Sequence, residues 1–338
     1  MGIRGKKAGR ADGPQPLFHP ARRFTTMQAK GGVDFDASRV QTEEETMSRH
    51  LTIGTIGATL TAVALVLSLS SMAQAVELNP AAVAFQTPDQ FKWRDPTDQA
   101  ATNQVILQGD PNKPGSLYIN INKFKANRFG NAHHHPNDRF ISVIAGAAWR
   151  GTGSVVDPAH ATRVPKGTFM VDHANKVHWD GTKEETGAYL ITGIGPATNI
   201  EIPKVAGPWA GGDPSAATIK LPDQIQWKDN GPNKTVTLAG DPEKEGLYVQ
   251  MLTWKKGNFS RPHFHPNDRY IYVLEGTWWV GTGNKFDPDN LTVPMKAGTY
   301  VTHFAKGVHW DGAKADEDAT IILIGNGPAT NTRVEEAK

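Results

Sequence analysis

Residues 133–153 read HHHPNDRFISVIAGAAWRGTG, and residues 263–283 read HFHPNDRYIYVLEGTWWVGTG, identical at 13 of 21 positions. The likeness extends in both directions. Pro88-Asp89-Gln90-Phe91-Lys92-Trp93 returns as Pro222-Asp223-Gln224-Ile225-Gln226-Trp227, His178-Trp179-Asp180-Gly181 as His309-Trp310-Asp311-Gly312, and Gly195-Pro196-Ala197-Thr198-Asn199 as Gly327-Pro328-Ala329-Thr330-Asn331. The offset drifts only between 130 and 134, so a unit of roughly 110 residues is duplicated in tandem, too long for a solenoid repeat. Residues 205–214, rich in Gly, Pro and Ala, read as the join. The expected division is a first domain over 76–205 and a second over 206–338.

Within each unit the apolar runs are short, β-branched or aromatic, and bounded by turn residues. Leu117–Ile121, Phe140–Ile144, Thr168–Val171 and Tyr189–Thr192 read as strands, as do Leu247–Leu252, Tyr270–Leu274, Thr299–Thr302 and Thr320–Ile324. No segment after Val76 carries a helical stripe, and 34 Gly with 23 Pro suit many short strands. The fold class is all-β. Several strands are apolar on both faces, as when one face lines a lumen and the other meets a second sheet.

Six of the twelve histidines fall in the repeated frame. His133 and His135 are two residues apart, as are His263 and His265, so each pair points to one face of a strand. His178 and His309 follow 43 and 44 residues after the second member. Two imidazoles from one strand and a third from a distant strand can converge on a divalent ion and leave positions open for chemistry. His134, His160, His173 and His303 lie outside the frame and read as structural. His303 stands apart, because it precedes His309 on the same segment and could orient a ligand from behind. With no cysteine in the chain, thiolate metal sites, disulfides and a cysteine nucleophile are excluded.

These residues resemble the cupin superfamily. The second unit has Gly257, His263-Phe264-His265, Arg269 and Gly276; the first has His133-His134-His135, Arg139 and Gly146 at equal spacing; and Pro165-Lys166-Gly167 with His178, and Ala297-Gly298 with His309, match the later motif. The resemblance covers about 83–200 and 218–331 and implies a bicupin: two tandem double-stranded β-helix, or jelly-roll, barrels, each holding a metal on three His. The family pattern has a Glu ligand four residues after the second His, where this chain has Arg139 and Arg269. That departure turns the resemblance away from the oxalate-degrading and germin-like members and toward three-histidine bicupin dioxygenases acting on hydroxylated aromatic acids. Asp138 and Asp268, one residue earlier, are the substitute carboxylates if the turn shifts register.

A guanidinium about 6 Å from a divalent ion is repelled by roughly 5 kcal/mol at an effective dielectric of about 20. Something negative must therefore face Arg139 and Arg269. It is either the carboxylate of a bound small anion, which makes these arginines substrate-binding residues, or Asp138 and Asp268 folded back on them. Two functional classes follow. One is an Fe(II)-dependent, dioxygenase-like enzyme, with Mn(II), Zn(II) or Ni(II) as alternative metals; the other is a metal- or small-anion-binding protein without turnover. No residue is assigned a catalytic acid–base role.

Residues 51–76 carry no charge and follow Arg49 and His50, and Ala73-Gln74-Ala75 offers small residues at −3 and −1. That is a signal-peptide pattern over 47–75, starting at Met47, with cleavage near Val76 and a periplasmic or secreted product. An uncleaved anchor is the alternative, since about 20 apolar residues can span a bilayer. Residues 1–46 show no apolar periodicity and are expected to be disordered sequence upstream of the natural start. Residues 1–75 hold nine Lys/Arg and six Asp/Glu, leaving 27 basic and 28 acidic residues beyond, so the mature part has no basic face for nucleic acid. Pairing through sheet edges into a homodimer is a further expectation.

Overall fold

A computed structural model describes residues 76–337. The expected leader over 47–75 and residues 1–46 lie outside the described residues. The described chain is β throughout apart from three 3-10 turns at Pro88–Gln90, Pro158–His160 and Pro222–Gln224, two of which open matching Pro-Asp-Gln segments of the repeats. All eight expected strands are present, and two of them begin one residue later than expected, at Phe169 and Tyr300. The Phe140–Ile144 expectation is one end of a longer strand, Arg139–Thr152. The sequence signal fades at Ala145-Gly146-Ala147-Ala148, where the strand passes from one sheet to the other. Its counterpart breaks there into Arg269–Glu275 and Thr277–Thr282.

Gly146 and Gly276 make that passage. Both have positive φ, 57° and 72°. A Cβ on either would run into a backbone carbonyl, of Thr186 and Asp318 respectively, so the sharp turn of the strand needs glycine.

The two faces of each central strand have different partners. In Leu117–Phe124, Tyr118 faces the interior of the first barrel with Ile141, Met170 and Tyr189, while Ile119 and Ile121 turn outward. The outward residues meet Val249, Met251, Ile322 and Ile324 of the second repeat in a core shared by both barrels. Each of these buried aliphatic side chains contributes about 1.5–3 kcal/mol, which is why the strands read as apolar on both faces.

The repeats exchange their opening strands. Val83–Gln86, at the start of the first, pairs antiparallel with Tyr300–His303 of the second, placing Val83 opposite His303. Ala217–Lys220, at the start of the second, pairs antiparallel with Phe169–Asp172 of the first, placing Ala217 opposite Asp172. One edge of each barrel is thus covered from within the chain, and each barrel depends on the other repeat for a strand.

Candidate metal centres

In both barrels the first and third frame histidines sit directly opposite each other on paired strands, His133 against His178 and His263 against His309. The second of each pair follows on the same face. Ring centroids in the first triad are 5.0, 4.5 and 5.0 Å apart, and in the second 4.8, 4.5 and 5.0 Å. In each triad one ring nitrogen per residue lies within 4.8 Å of the other two. The sequence frame therefore marks two real convergences.

The tautomers are set from behind. His133 Nδ1 donates to Asn131 O at 2.8 Å, His135 Nδ1 to Thr198 O at 3.1 Å, and His178 Nδ1 to Lys176 O at 3.0 Å. The second barrel repeats this: His263 Nδ1 donates to Arg261 O, His265 Nδ1 to Thr330 O and His309 Nδ1 to Gly307 O, at 2.8, 3.0 and 2.9 Å. With Nδ1 carrying the proton, every Nε2 keeps a lone pair for the centre. His178 Nε2 and His309 Nε2 are buried without any hydrogen-bond partner. Buried acceptors of this kind are costly unless something fills the space between them, and three neutral imidazoles on one point suit a divalent cation.

Burial also keeps the rings neutral. Burial, reinforced by Arg139, pushes His135 down to about 3; burial and Arg150 push His178 to about 2; burial and Arg269 push His265 to about 3. Burial drives His309 and His303 well below the usual histidine range.

Neither arginine pairs with its neighbouring aspartate. Asp138 Oδ1 accepts from Ala174 N and Asp268 Oδ1 from Ala305 N, both at 2.8 Å, so these carboxylates brace the turns leading to His178 and His309. They stand outside both clusters, which removes the substitute-ligand reading. Arg139 Nη1 donates to His135 Nε2 at 2.5 Å and lies over that lone pair. Arg269 is turned aside, with Nη2 donating to Ala329 O at 2.8 Å and reaching Asn331 Oδ1 at 3.4 Å. The same two acceptor positions exist in the first repeat, as Ala197 and Asn199.

Around the triads the barrels differ. A cavity of about 580 Å³ opens at the first, and its walls include His133, Arg139, Asp172 and Asp180 with the amides of Asn120 and Asn122. Gln104 Nε2 and Asn120 Nδ2 both donate to Asn122 Oδ1 at 3.0 Å, a polar ladder on one wall. Tyr189, also on the wall, has a buried hydroxyl with no partner. In the second barrel Trp278, Trp254, Leu252 and Ile321 stand where the first has Ala148, Phe124, Asn122 and Tyr189. Trp278 is buried, donates from Nε1 to Asp311 Oδ1 at 3.2 Å and lies against His303 with ring centroids 5.3 Å apart. It packs in the core of the second barrel, whereas Trp179 and Trp310, which follow His178 and His309 on their strands and so take the opposite face, are buried against Phe129 and against Phe259 and Phe286.

Sequence reasoning missed one charged group. Asp172, 1% exposed, contacts the fully buried Arg150 and places Oδ2 3.5 Å from His178 Nε2. Arg150 Nη1 also donates to Asp180 Oδ2 at 3.0 Å. Burial pushes the Asp172 carboxyl up, but Arg150, His178 and Arg139 outweigh it, and the group stays ionised. The signal that could have found it is a carboxylate ending an otherwise apolar strand, aligned with a histidine in the other repeat. His160 pairs with Asp157 and stacks on Trp209, and His173 meets the Thr218 hydroxyl at 2.9 Å, so both serve the surface.

No protein-family model and no curated protein matches the chain in sequence. Solved structures match it in fold. The oxalate decarboxylase of Lactobacillus farciminis, in its formate complex, aligns with a TM-score of 0.52 at 13% identity, over 74% of this chain and 88% of that one. A second oxalate decarboxylase structure aligns at 0.50 and 12% identity, over 74% and 79%. A cupin 2 conserved barrel domain protein from Leptotrichia buccalis aligns at 0.49 and 15% identity, over 75% and 99%. The chain has the cupin fold in tandem. Each barrel carries a histidine triad, with Arg139 and Arg269 in the slot four residues after the second histidine.

Proposed function

We propose that the protein is an exported, metal-dependent enzyme of dioxygenase type, in which the first barrel binds both a divalent metal and a small anionic substrate. The observation that carries this is the first triad: three Nδ1-anchored imidazoles, of which His133 lines a polar cavity of about 580 Å³, a size suited to a small molecule. Bound Fe(II) would supply the redox chemistry for O2 and a double positive charge to attract the anion. Arg139 shields the His135 lone pair, and the Arg269 arrangement supports a second position for it beside Ala197 and Asn199. Displaced there, its guanidinium stands ready to take a carboxylate in a two-pronged grip. The Asn120 and Asn122 amides orient the polar end of the ligand, and Trp278 leaves the second barrel to hold metal without substrate.

One observation favours a second reading, a periplasmic metal- or small-anion-binding protein without turnover. Two acids near the first triad, the buried Asp172 and the half-buried Asp180, are committed to Arg150, and the third acid on the cavity wall, Glu201, is exposed and accepts from Asn131 Nδ2. Anaerobic loading with Fe(II), followed by O2 uptake with a panel of hydroxylated aromatic and aliphatic acids, separates the two. The enzyme reading expects uptake with at least one acid, abolished by His135→Ala. Tight anion binding with no uptake across the panel assigns the binding role. Export rests on Arg49, the uncharged run and Ala73-Gln74-Ala75. It is tested by the intact mass of the secreted or periplasmic protein, expected to begin at or near Val76.

A further inference from the structure

The slot four residues after the second histidine lacks its carboxylate, yet an anionic oxygen reaches the first triad from another strand. Asp172 ends the Phe169–Asp172 strand and holds Oδ2 3.5 Å from His178 Nε2. Two donors bonded at about 2.1 Å to one tetrahedral ion stand about 3.4 Å apart. The other carboxylate oxygen contacts Arg150 Nη2, so the group could be no more than that guanidinium's counter-ion.

The second repeat decides between these roles. Its equivalent of Arg150 is Val280, so no buried cation needs neutralising there. If the position existed only to balance Arg150, an apolar residue would suffice opposite valine. It is instead His303, 3% exposed, with Nε2 buried and unpartnered and its ring centroid 3.8 Å from that of His309. The ion pair is gone and a metal-binding side chain remains. His303 also groups with His309 and Asp311, its ligand atom within 4.8 Å of one on each.

We propose that this strand-end position supplies the fourth metal donor of each barrel, a carboxylate oxygen from Asp172 in the first and an imidazole nitrogen from His303 in the second. The two centres then differ in kind. The first offers three imidazoles and a carboxylate beside an open cavity, a set that suits Mn(II) and Fe(II); the second offers four imidazoles behind Trp278, a set that suits Zn(II), Ni(II) or Cu(II). The inference rests on the reading that the triads hold metal.

The test uses the full mature chain, stripped of metal and titrated with Mn(II) and Co(II), following binding by calorimetry and the Co(II) visible spectrum. Asp172→Asn keeps an acceptor for Arg150; in a His265→Ala background, which isolates the first centre, it should weaken Mn(II) binding tenfold or more. His303→Leu in a His135→Ala background should weaken the second centre as much and shift its Co(II) spectrum. If Asp172→Asn disturbs folding, Arg150→Val with Asp172→His copies the second barrel's pair into the first. That variant should keep its metal and take on the second centre's Co(II) spectrum, and loss of metal from a folded protein would count against the proposal. Affinities unchanged within twofold for both single variants, while His178→Ala and His309→Ala abolish binding, would overturn the fourth-donor assignment and leave the triads standing. A wild-type chain that takes up neither ion would overturn both.

Discussion

Ala148 and Trp278 occupy the same place in the two barrels, both fully buried, so the second barrel carries an indole where the first has a methyl group. The indole also takes up the Asp311 carboxylate, whose equivalent Asp180 is bonded to Arg150 in the first barrel. One substitution thus changes both the space beside the triad and the partner of a buried acid. Asp311 answers by a rise in its pKa, driven by burial, where no arginine stands against it on the strand of Val280.

Exchanging these residues should exchange the properties of the barrels. Ala148→Trp is expected to abolish binding of small carboxylates, measured by calorimetry, and to leave metal content unchanged. Trp278→Ala removes a buried indole and should cost about 3–5 kcal/mol in denaturant unfolding. Undiminished carboxylate binding by Ala148→Trp would place the ligand outside the first lumen.

The arginines should part company in the same way. Arg139→Gln is expected to lower carboxylate affinity at least tenfold with metal content intact, because Arg139 faces the cavity and has no carboxylate of its own. Arg269 donates to Ala329 O and closes the second barrel. Arg269→Gln should therefore leave carboxylate affinity alone and lower thermal stability, since a half-buried carbonyl loses its donor. Equal loss of affinity in both would mean two equivalent anion sites.

Strand exchange ties the barrels into one folding unit. Val83 is 2% exposed and packs in the core of the second barrel with Val273 and Val301. Val83→Asp places an unpaired charge there and should destabilise the chain by about 3 kcal/mol or more. Differential scanning calorimetry is expected to show a single transition moved to lower temperature. Two separated transitions, with only one moved, would contradict the mutual dependence.

Acid should destabilise the metal-free protein earlier than carboxylate titration alone requires. His135, His178 and His265 have folded values of about 3, 2 and 3, against about 6.5 in an unfolded chain. The unfolded state therefore binds more protons below pH about 6.5. Stability is complete above that pH and is lost as the pH falls toward 3, by about 1.4 kcal/mol per pH unit for each such histidine. Urea unfolding of stripped protein from pH 7 to 4 checks the slope. Replacing His178 with a neutral side chain should flatten it, and an unchanged slope would mean that the ring is protonated in the fold.

What the sequence makes legible here is local or periodic. The repeat, the eight strands and the histidine frame follow from short spacings, and His133 and His178 meet because their strands pair in register. The exchange of Val83–Gln86 and Ala217–Lys220 is not legible, because each segment sits at the head of its own repeat and only the tertiary edges decide which sheet it joins. Asp172 was hidden for a related reason. Nothing in Phe169–Asp172 itself distinguishes a capping acid from one facing a triad; its role emerges only when Arg150, 22 residues away, and His178 are seen around it. The inequality of the two sites was hidden as well, since all six histidines recur while the cavity wall changes elsewhere, from Asn122, Phe124 and Tyr189 to Leu252, Trp254 and Ile321.

The most direct test of the central claim is the metal content of the protein after anaerobic loading with Fe(II) or Mn(II) and desalting. The account expects two equivalents per chain, falling to one in His135→Ala, to one in His265→Ala and to none in the double variant. A wild-type chain that retains no metal under these conditions would contradict it and leave the six histidines as structural residues.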